Sequence, residues 1–299
     1  MKRTLCVVVL ILALPAALLP YENTPAPDII IPEVVWAEAT GGGTWVTELQ
    51  MSESPGTYGS DVAAIFFYGS GVSARIVISL WISPGNRCSV KWPNILSTMQ
   101  SLDSGFTYYG HSGTLWLQTQ DEHSLISAVA RTYNGNNGKT FPGLQWTDSN
   151  TANVGRDMMI MNVMFSPDYR TFAGFFNATS TTQVSSMVCE MSLIDANGVT
   201  YGTSWYEAFG PWEYKAFDIF AKAGITSGTH DNLRLIIHPL MSGNSGDGSK
   251  GLFCYGSMAS NTTNDTYAII AVQLFNAVPP LPSRPVRGET SETIDVTFM

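Results

Sequence analysis

Charged side chains are scarce in this sequence, and those present carry an excess of negative charge. Asp, Glu, Lys and Arg make up 13% of the 299 residues, about half the share of an average soluble domain, and the formal net charge is −9. Nucleic acid binding needs clustered lysine and arginine to neutralise phosphates, and the sequence has no such cluster. The composition therefore excludes nucleic acid as a partner, while 44% hydrophobic residues are enough for a buried core.

Long apolar runs are missing except at the start of the chain. Lys2 and Arg3 precede an apolar run over residues 5–14, and small residues follow, which is the pattern of a secretory signal peptide over residues 1–20. The run is shorter than the ~20 residues that span a bilayer, so retention as an anchor is the alternative to cleavage. With no membrane span left after signal removal, the sequence predicts a secreted, extracellular or cell-surface protein.

Cysteine is also rare, and the number left after signal removal is odd. Cys88, Cys189 and Cys254 remain, so at least one is unpaired or pairs with another molecule. Cys189 and Cys254 share the parity of apolar neighbours in strand-like stretches, which points both towards a core. They could form a buried disulfide, or they could pack as two thiols, because a free cysteine behaves as a small hydrophobe.

Strand patterns dominate what is present. Stretches such as "ARIVISLWI", "GTLWLQTQ" and "YAIIAVQLF" are short and rich in β-branched and aromatic residues, and clusters of Gly, Asn, Ser and Pro separate them. Helical stretches are confined to "WPNILSTMQSLD" and "WEYKAFDIFAKAGI". Short strands at this spacing predict an all-β fold, antiparallel, of the β-sandwich kind.

Matched features recur about every 120 residues, the size of one sandwich domain. "WVTELQM" matches "YRTFAGFF", "SLWISPGN" matches "SLIDANG", and "SGTLWLQT" matches "DNLRLIIH". The stretch "AVARTYNGNNGKTF" matches "MASNTTNDTY", with Asn261 in the place of Arg131. We therefore predict two tandem β-sandwich repeats over residues 30–145 and 146–278.

The chain changes character after the second predicted repeat. Residues 279–299 begin with a proline cluster that favours an extended, semi-rigid spacer, and they end in the strand-like "TIDVTFM". That end could return to a sheet edge, or it could pair with another chain by β-augmentation. Self-association through this C-terminal tail is therefore one predicted interaction.

The motifs "GGGTWVTELQM", "SAVARTYN", "SLIDANGVTYGT" and "FCYGSMASNTTNDTYAIIAV" resemble those of a family of bacterial and archaeal secreted proteins with tandem immunoglobulin-like β-sandwich repeats. In that family one repeat closes with Ser-Arg-Thr-Tyr-Asn, whereas this chain has Ala130 before Arg131. The resemblance implies an extracellular or surface module, and it brings no catalytic residue with it.

Motifs for catalysis are absent from the sequence. The four histidines lack any zinc-binding spacing, and His111 and His230 fall just ahead of matching strands, as duplication would place them. Arg131 lies at the end of a strand that runs into an Asn/Gly hairpin. We interpret it as a structural residue that hydrogen-bonds to loop carbonyls or to a carboxylate, and not as a catalytic group. The sequence therefore predicts no catalytic residue and no cofactor-binding residue.

Weak candidates for binding sites remain. Asp195 and Asn197 in "DANG" and Asp247 in "NSGDGSKG" offer the oxygen ligands that calcium accepts, although "DANG" is also a common hairpin turn. Trp116 has the parity opposite to Leu115 and Leu117, so it could form an exposed platform for sugar rings. Sequons at Asn177, Asn261 and Asn264 would mark surface loops if the host glycosylates them.

The sequence thus predicts an exported, non-enzymatic structural or adhesion module whose partner is an extracellular protein or a glycan. A carbohydrate-binding module that uses exposed aromatic side chains is the first alternative. A secreted hydrolase with a site at the junction of the two domains is the second, because paired carboxylates can converge in space without a local motif.

Overall fold

Strands account for most of the chain that the structure describes, because apolar residues either alternate with polar ones or continue on both faces of a strand. The computed structural model describes residues 25–39, 42–54, 60–69, 75–82, 89–120, 124–145, 151–179, 186–241, 249–261 and 266–274. The predicted signal peptide over residues 1–20, Asp247 and the tail over residues 279–299 lie outside these ranges.

The described residues contain eighteen strands and two short helices. In chain order they are β1 (Asp28–Glu38), β2 (Thr44–Ser54), β3 (Ser60–Phe67), β4 (Arg75–Ile82), β5 (Ser89–Trp92), α1 (Ile95–Leu102), β6 (His111–Thr119), β7 (Leu125–Asn134), β8 (Asn137–Pro142), β9 (Leu144–Gln145), β10 (Met158–Phe165), β11 (Tyr169–Thr179), β12 (Met187–Ile194), β13 (Thr200–Phe209), β14 (Tyr214–Asp218), α2 (Ile219–Lys222), β15 (His230–Met241), β16 (Ser249–Ser260), β17 (Thr266–Ile270) and β18 (Val272–Gln273).

Every ladder between these strands is antiparallel. One sheet has the order β4-β3-β6-β1-β2-β7-β8, with β5 paired to β2 and β9 paired to β1. A second sheet has the order β13-β12-β15-β10-β18, and a third has the order β14-β11-β16-β17. The predicted all-β, antiparallel class is confirmed.

The two halves of the described chain use the same strand order. The path β4-β3-β6-β1-β9 corresponds to β13-β12-β15-β10-β18, and β5-β2-β7-β8 corresponds to β14-β11-β16-β17. The helix α1 lies between β5 and β6 as α2 lies between β14 and β15. A short ladder between β1 and β2 joins the two groups of strands in the first half.

Two buried threonines fix this equivalence residue by residue. Thr47 Oγ1 accepts a hydrogen bond from the Val35 N–H at 2.8 Å, and Thr171 Oγ1 accepts one from the Met164 N–H at 3.1 Å. Both contacts follow a register shift of the neighbouring strand. In the same alignment the partner of Trp36 is His111 and the partner of Phe165 is His230, so the two histidines occupy equivalent positions.

The strand register differs from two of the sequence matches. "SLWISPGN" belongs to the end of β4 whereas "SLIDANG" belongs to the end of β12, which corresponds to β3. Arg131 pairs with Glu48, and the residue in its place on β16 is Ser257, not Asn261. The sequence match was displaced by four residues because it aligned two similar Asn-rich turns rather than the strands before them.

Hydrophobic side chains of the described residues form three clusters. One contains buried residues from positions 26–130 only, and another contains buried residues from positions 152–271 only. The third draws on both halves, with Phe67 and Phe141 from the first and Phe176, Phe253 and Tyr255 from the second. The two halves are therefore packed against each other through an apolar contact.

Alternation along β11 and β16 explains how one strand serves two clusters. Phe175 and Cys254 point into the cluster of the second half, while Phe176 and Phe253 point into the shared cluster. Successive side chains of a strand face opposite sides of the sheet, so the second half presents a largely apolar outer face to the first. Within the described residues, no helix has the length and apolar character needed to cross a membrane.

Candidate ligand groove at the junction of the two halves

A bulge in β1 turns a carboxylate towards the second half. The ladder between β1 and β6 shifts register between Ile31 and Val34, and the intervening pair is Pro32 and Glu33. Proline cannot donate to a ladder and is tolerated at bulges, and its carbonyl here accepts a hydrogen bond from Thr114 Oγ1 at 2.9 Å. Glu33, which is 8% exposed, thus lies among buried polar groups at the junction.

Lys139 on β8 joins this carboxylate to the other half. Its Nζ lies 2.7 Å from Glu33 Oε2 and donates a hydrogen bond to Ser257 Oγ on β16. The Lys139 and Glu33 side chains are only 6% and 11% exposed. Burying one unpaired charge would be costly. The ion pair with Glu33 and the hydrogen bond to Ser257 therefore offset the cost of removing the Lys139 ammonium group from water.

Two tyrosines extend the polar network. The hydroxyls of Tyr214 and Tyr255 are 2.9 Å apart, Tyr255 is hydrogen-bonded to Glu33, and Tyr214 is hydrogen-bonded to Ser112. Burial, with the nearby Glu33 charge as the next cause, raises the pKa of both phenols well above the ordinary value. Both phenols therefore remain neutral at physiological pH, and each hydroxyl has one proton to donate.

A cavity of about 320 Å³ opens above this network, and both halves line it. Its volume lies in the range of ligand pockets, roughly 300–1,000 Å³. Trp45 and Phe172 contribute aromatic faces, and Glu38 and Arg170 contribute charges of opposite sign. The Arg170 guanidinium carbon lies 5.7 Å from the centre of the Phe172 ring.

A second, more open cavity continues from the first through Gly110, Ser112, Tyr214 and Ala216, which line both. Lys215 and Lys222 lie in it, and their Nζ atoms are 3.2 and 2.7 Å from the two oxygens of Glu207. Burial raises the pKa of Glu207, but its hydrogen bonds to the two lysines outweigh burial and lower it overall. We call the two connected cavities the junction groove.

Two polar atoms beside the groove have no hydrogen-bond partner among the residues that the structure describes. Arg170 Nε and Thr266 Oγ1 are buried without a hydrogen bond, and both residues line the first cavity. Among the described residues no carboxylate lies within ion-pair distance of Arg170. The groove therefore combines aromatic faces, paired charges and one under-satisfied cation, an arrangement suited to hydrogen-bonded recognition of a polar ligand.

Arg131 does not belong to the groove. Its side chain is exposed, and its guanidinium carbon lies 5.2 Å from the centre of the Tyr133 ring on the same strand. His111 borders the open cavity and contacts Tyr68 and Phe106, whereas its equivalent His230 contacts Phe165 and Tyr201.

Trp116 has the predicted parity, because Leu115 and Leu117 point into the core of the first half. Its own face, however, meets the second half. Trp212 stacks on it with ring centres 5.6 Å apart, and Trp116 Nε1 donates to Asp28 Oδ1 at 2.9 Å. Trp212 thus covers one face of the Trp116 ring, and a sugar platform at Trp116 stays a prediction.

The predicted calcium ligands Asp195 and Asn197 form a hairpin turn between β12 and β13. Asp195 Oδ1 accepts hydrogen bonds from the N–H groups of Asn197 and Val199 at 2.8 and 2.9 Å. These bonds, that of Val199 first, lower the pKa of Asp195. Within the described residues no group of three or more His, Cys, Asp and Glu could hold a metal ion, and calcium at Asp195, Asn197 and Asp247 stays a prediction.

Cys189 and Cys254 lie in the same hydrophobic cluster of the second half and are present as buried thiols. Burial raises the pKa of the Cys189 thiol to about 12 and that of Cys254 well above its ordinary value. The inward orientation agrees with the alternation in the sequence, while a disulfide between the two stays a prediction.

The sequon at Asn177 does not mark a surface loop. Its side chain is fully buried, and Nδ2 donates to the carbonyls of Phe209 and Gly210 at 2.9 and 3.0 Å. This amide supports the turn that carries Trp212, whose backbone N–H donates to the Asn177 carbonyl.

None of the residues that build the groove around the Glu33–Lys139 pair was predicted from the sequence. A signal for two of them exists: Glu33 interrupts the apolar run "IIIPEVVW", and Lys139 shares the inward parity of Phe141 in "GKTFPG". A charged residue at a core position needs a partner. The sequence carries no comparable signal for Arg170 and Ser257. Both lie on the outward face of the second half, where polar residues are ordinary unless another part of the chain covers them.

Comparisons with known proteins give little for this chain. No protein-family model matches it, and no curated protein matches it. Among solved structures it is similar to the subviral particle of infectious bursal disease virus VP2, at 12% sequence identity and a TM-score of 0.19, over 83% of this chain and 67% of that chain. A likeness at this level carries no argument about fold or function.

Proposed function

We propose that this chain is an exported, non-enzymatic module of the cell surface or extracellular space, made of two tandem immunoglobulin-like β-sandwich repeats with a structural or adhesive role. The common strand order of the two halves and their separate hydrophobic clusters support the tandem repeat. The resemblance of its motifs to those of secreted tandem-repeat proteins and the signal-peptide pattern support export.

The observation that carries the proposal is the junction itself. A shared hydrophobic cluster and the contacts among Glu33, Lys139 and Ser257 join the repeats, which favours one fixed orientation over two freely moving domains. A fixed two-repeat unit can present loops and sheet edges at a defined spacing, as an adhesive or structural protein requires.

The same contacts disfavour the hydrolase alternative. A general acid or base must be able to exchange a proton with its substrate, whereas Glu33 is paired with Lys139 and hydrogen-bonded to Tyr255. Glu38, the other carboxylate of the first cavity, accepts a hydrogen bond from Tyr109 at 3.3 Å. Each of the two carboxylates is thus engaged by another side chain, which does not favour their use as the acid and base of glycoside hydrolysis.

Labelling of intact producing cells tests the proposal. A membrane-impermeant biotin reagent and an antibody should detect the protein on unbroken cells or in the medium, with a cytosolic enzyme as the unlabelled control. Detection only after lysis would overturn export. Turnover of chromogenic glycosides or esters that Glu33→Gln abolishes, with the fold intact by circular dichroism, would overturn the non-enzymatic role.

A further inference from the structure

We propose that the junction groove binds an acidic carbohydrate, meaning an oligosaccharide that carries carboxylate groups, and that Arg170 holds one of these carboxylates. The proposal rests on the proposed adhesive function and names the class of ligand to which the protein would adhere. It places the ligand between the two repeats rather than on the platform predicted at Trp116.

The charge distribution is the first observation. The structure describes eight lysine and arginine side chains, namely Lys91, Arg131, Lys139, Arg156, Arg170, Lys215, Lys222 and Arg234. Four of these eight line the groove, against three of the fifteen aspartate and glutamate side chains that are described. The groove thus has a local excess of one positive charge in a chain of net charge −9, which favours an anionic ligand there.

Arg170 is the second observation. Lys139, Lys215 and Lys222 each have a carboxylate partner within the chain, but Arg170 has none in the described part of the protein. Its Nε–H is buried without an acceptor, and the Phe172 ring supports its guanidinium from one side. A planar guanidinium held in this way is the group that recognises carboxylates best.

The remaining lining distinguishes a sugar from other anions. Trp45 and Phe172 present aromatic faces, and Phe172 is 36% exposed. Glu38 and Ser112 add hydrogen-bonding oxygens along the same cavity. A sugar ring offers an apolar C–H face to an aromatic side chain and hydroxyls that both donate and accept, so it can use all three kinds of group.

The size of the groove fits an oligomer. The first cavity has about 320 Å³, and the second adjoins it through four shared residues. Lys215 and Lys222 stand in the second cavity, so a chain of several acidic sugars would meet cationic groups in both cavities.

The full-length protein, purified from the medium or the cell surface, should be applied to an array of oligosaccharides. The array carries galacturonate, glucuronate, mannuronate, guluronate and sialate, each beside its neutral counterpart of equal length. Arg131→Ala is the matched control for Arg170→Ala, because each arginine stacks on an aromatic ring of its own strand and only Arg170 lines the groove.

We expect the wild-type protein and Arg131→Ala to bind at least one acidic series and to ignore its neutral counterpart. Arg170→Ala should weaken that binding about tenfold or more, as loss of a charge-assisted hydrogen bond does. If Arg170→Ala lowers the melting temperature, Arg170→Gln should show the same loss. Binding should also fall as salt is raised.

The inference is overturned if no acidic series binds, if neutral and acidic sugars bind alike, or if Arg170→Ala binds as well as Arg131→Ala. Binding of acidic peptides in place of glycans would also overturn it. A protein that is labelled on intact cells but is silent on the array contradicts only the ligand class. A protein detected only after lysis contradicts the proposed function itself.

Discussion

Removing the buried cation at the junction should destabilise the protein far more than removing an exposed one. Lys139→Met keeps most of the side-chain volume but leaves the Glu33 carboxylate buried without its ion-pair partner. Breaking one side of a buried ion pair costs about 3–5 kcal/mol. In a chain of this size that corresponds to a fall of roughly 10 °C in the unfolding midpoint.

Lys91→Met supplies the control for this experiment. Lys91 Nζ lies 2.8 Å from Glu48 Oε2, close to the spacing in the buried pair, but the Lys91 side chain is 57% exposed. Exposed ion pairs contribute about 1 kcal/mol or less, so the midpoint of Lys91→Met should fall by no more than about 3 °C. Differential scanning calorimetry measures both midpoints.

The double substitution Glu33→Leu with Lys139→Met decides the interpretation. Replacing a whole buried ion pair by apolar residues is often neutral or stabilising, so the double variant should recover most of the loss and melt within about 4 °C of the wild type. If the double variant melts as low as Lys139→Met, the loss does not come from an uncompensated Glu33 charge. If the unfolding midpoints of Lys139→Met and Lys91→Met fall equally, burial does not determine how much each ion pair stabilises the protein, and the reasoning is refuted.

Three further predictions concern single sites. Asn177→Ala should cost about 2 kcal/mol in the free energy of unfolding, because one buried and one part-buried carbonyl lose their donor, and mass spectrometry should find no glycan on Asn177 of the folded protein; a glycan there would contradict its burial. Iodoacetamide should modify Cys189 and Cys254 only after unfolding, because burial raises the pKa of both thiols; if they remain unmodified in denaturant without reductant, they form the disulfide. Hydrogen bonds from the backbone lower the pKa of Asp195, so its stabilising effect is complete above about pH 4 and is lost as the pH falls through the lowered value; the melting temperature of Asp195→Asn should therefore depend less on pH below pH 4, and an unchanged acid slope would contradict this.

The sequence predicted the strands better than the surface between the halves. Alternation identifies which residues of a strand turn inward, and the inward orientation of Leu115, Leu117 and Cys189 follows from it. Alternation says nothing about what covers the outward face. Trp116 was assigned to solvent for that reason, whereas Trp212 from the second half stacks on it.

Register was the other property that the sequence could not supply. Loop composition aligned Arg131 with Asn261, because glycine and asparagine give similar hairpins in many places. The hydrogen bonds of Thr47 and Thr171 to their neighbouring strands align Arg131 with Ser257 instead. A local turn motif constrains a few residues, whereas a ladder constrains every pair along the strand.

The corrected register explains why the two halves differ most where they meet. Arg131 is exposed to solvent in the first half, whereas the equivalent Ser257 is hydrogen-bonded to Lys139. An arginine at position 257 would place a second positive charge next to the Lys139 ammonium group. At the bulge in β1 the burial is the other way round. Glu33 of the first half is buried at the junction, whereas the equivalent Asn162 of the second half is exposed. Equivalent strands have similar patterns in the two halves because they form the same ladders. Their outward side chains differ because each packs against different neighbours. The charged and hydroxyl groups of the junction groove therefore occupy positions that are equivalent in strand order but differ in what packs against them.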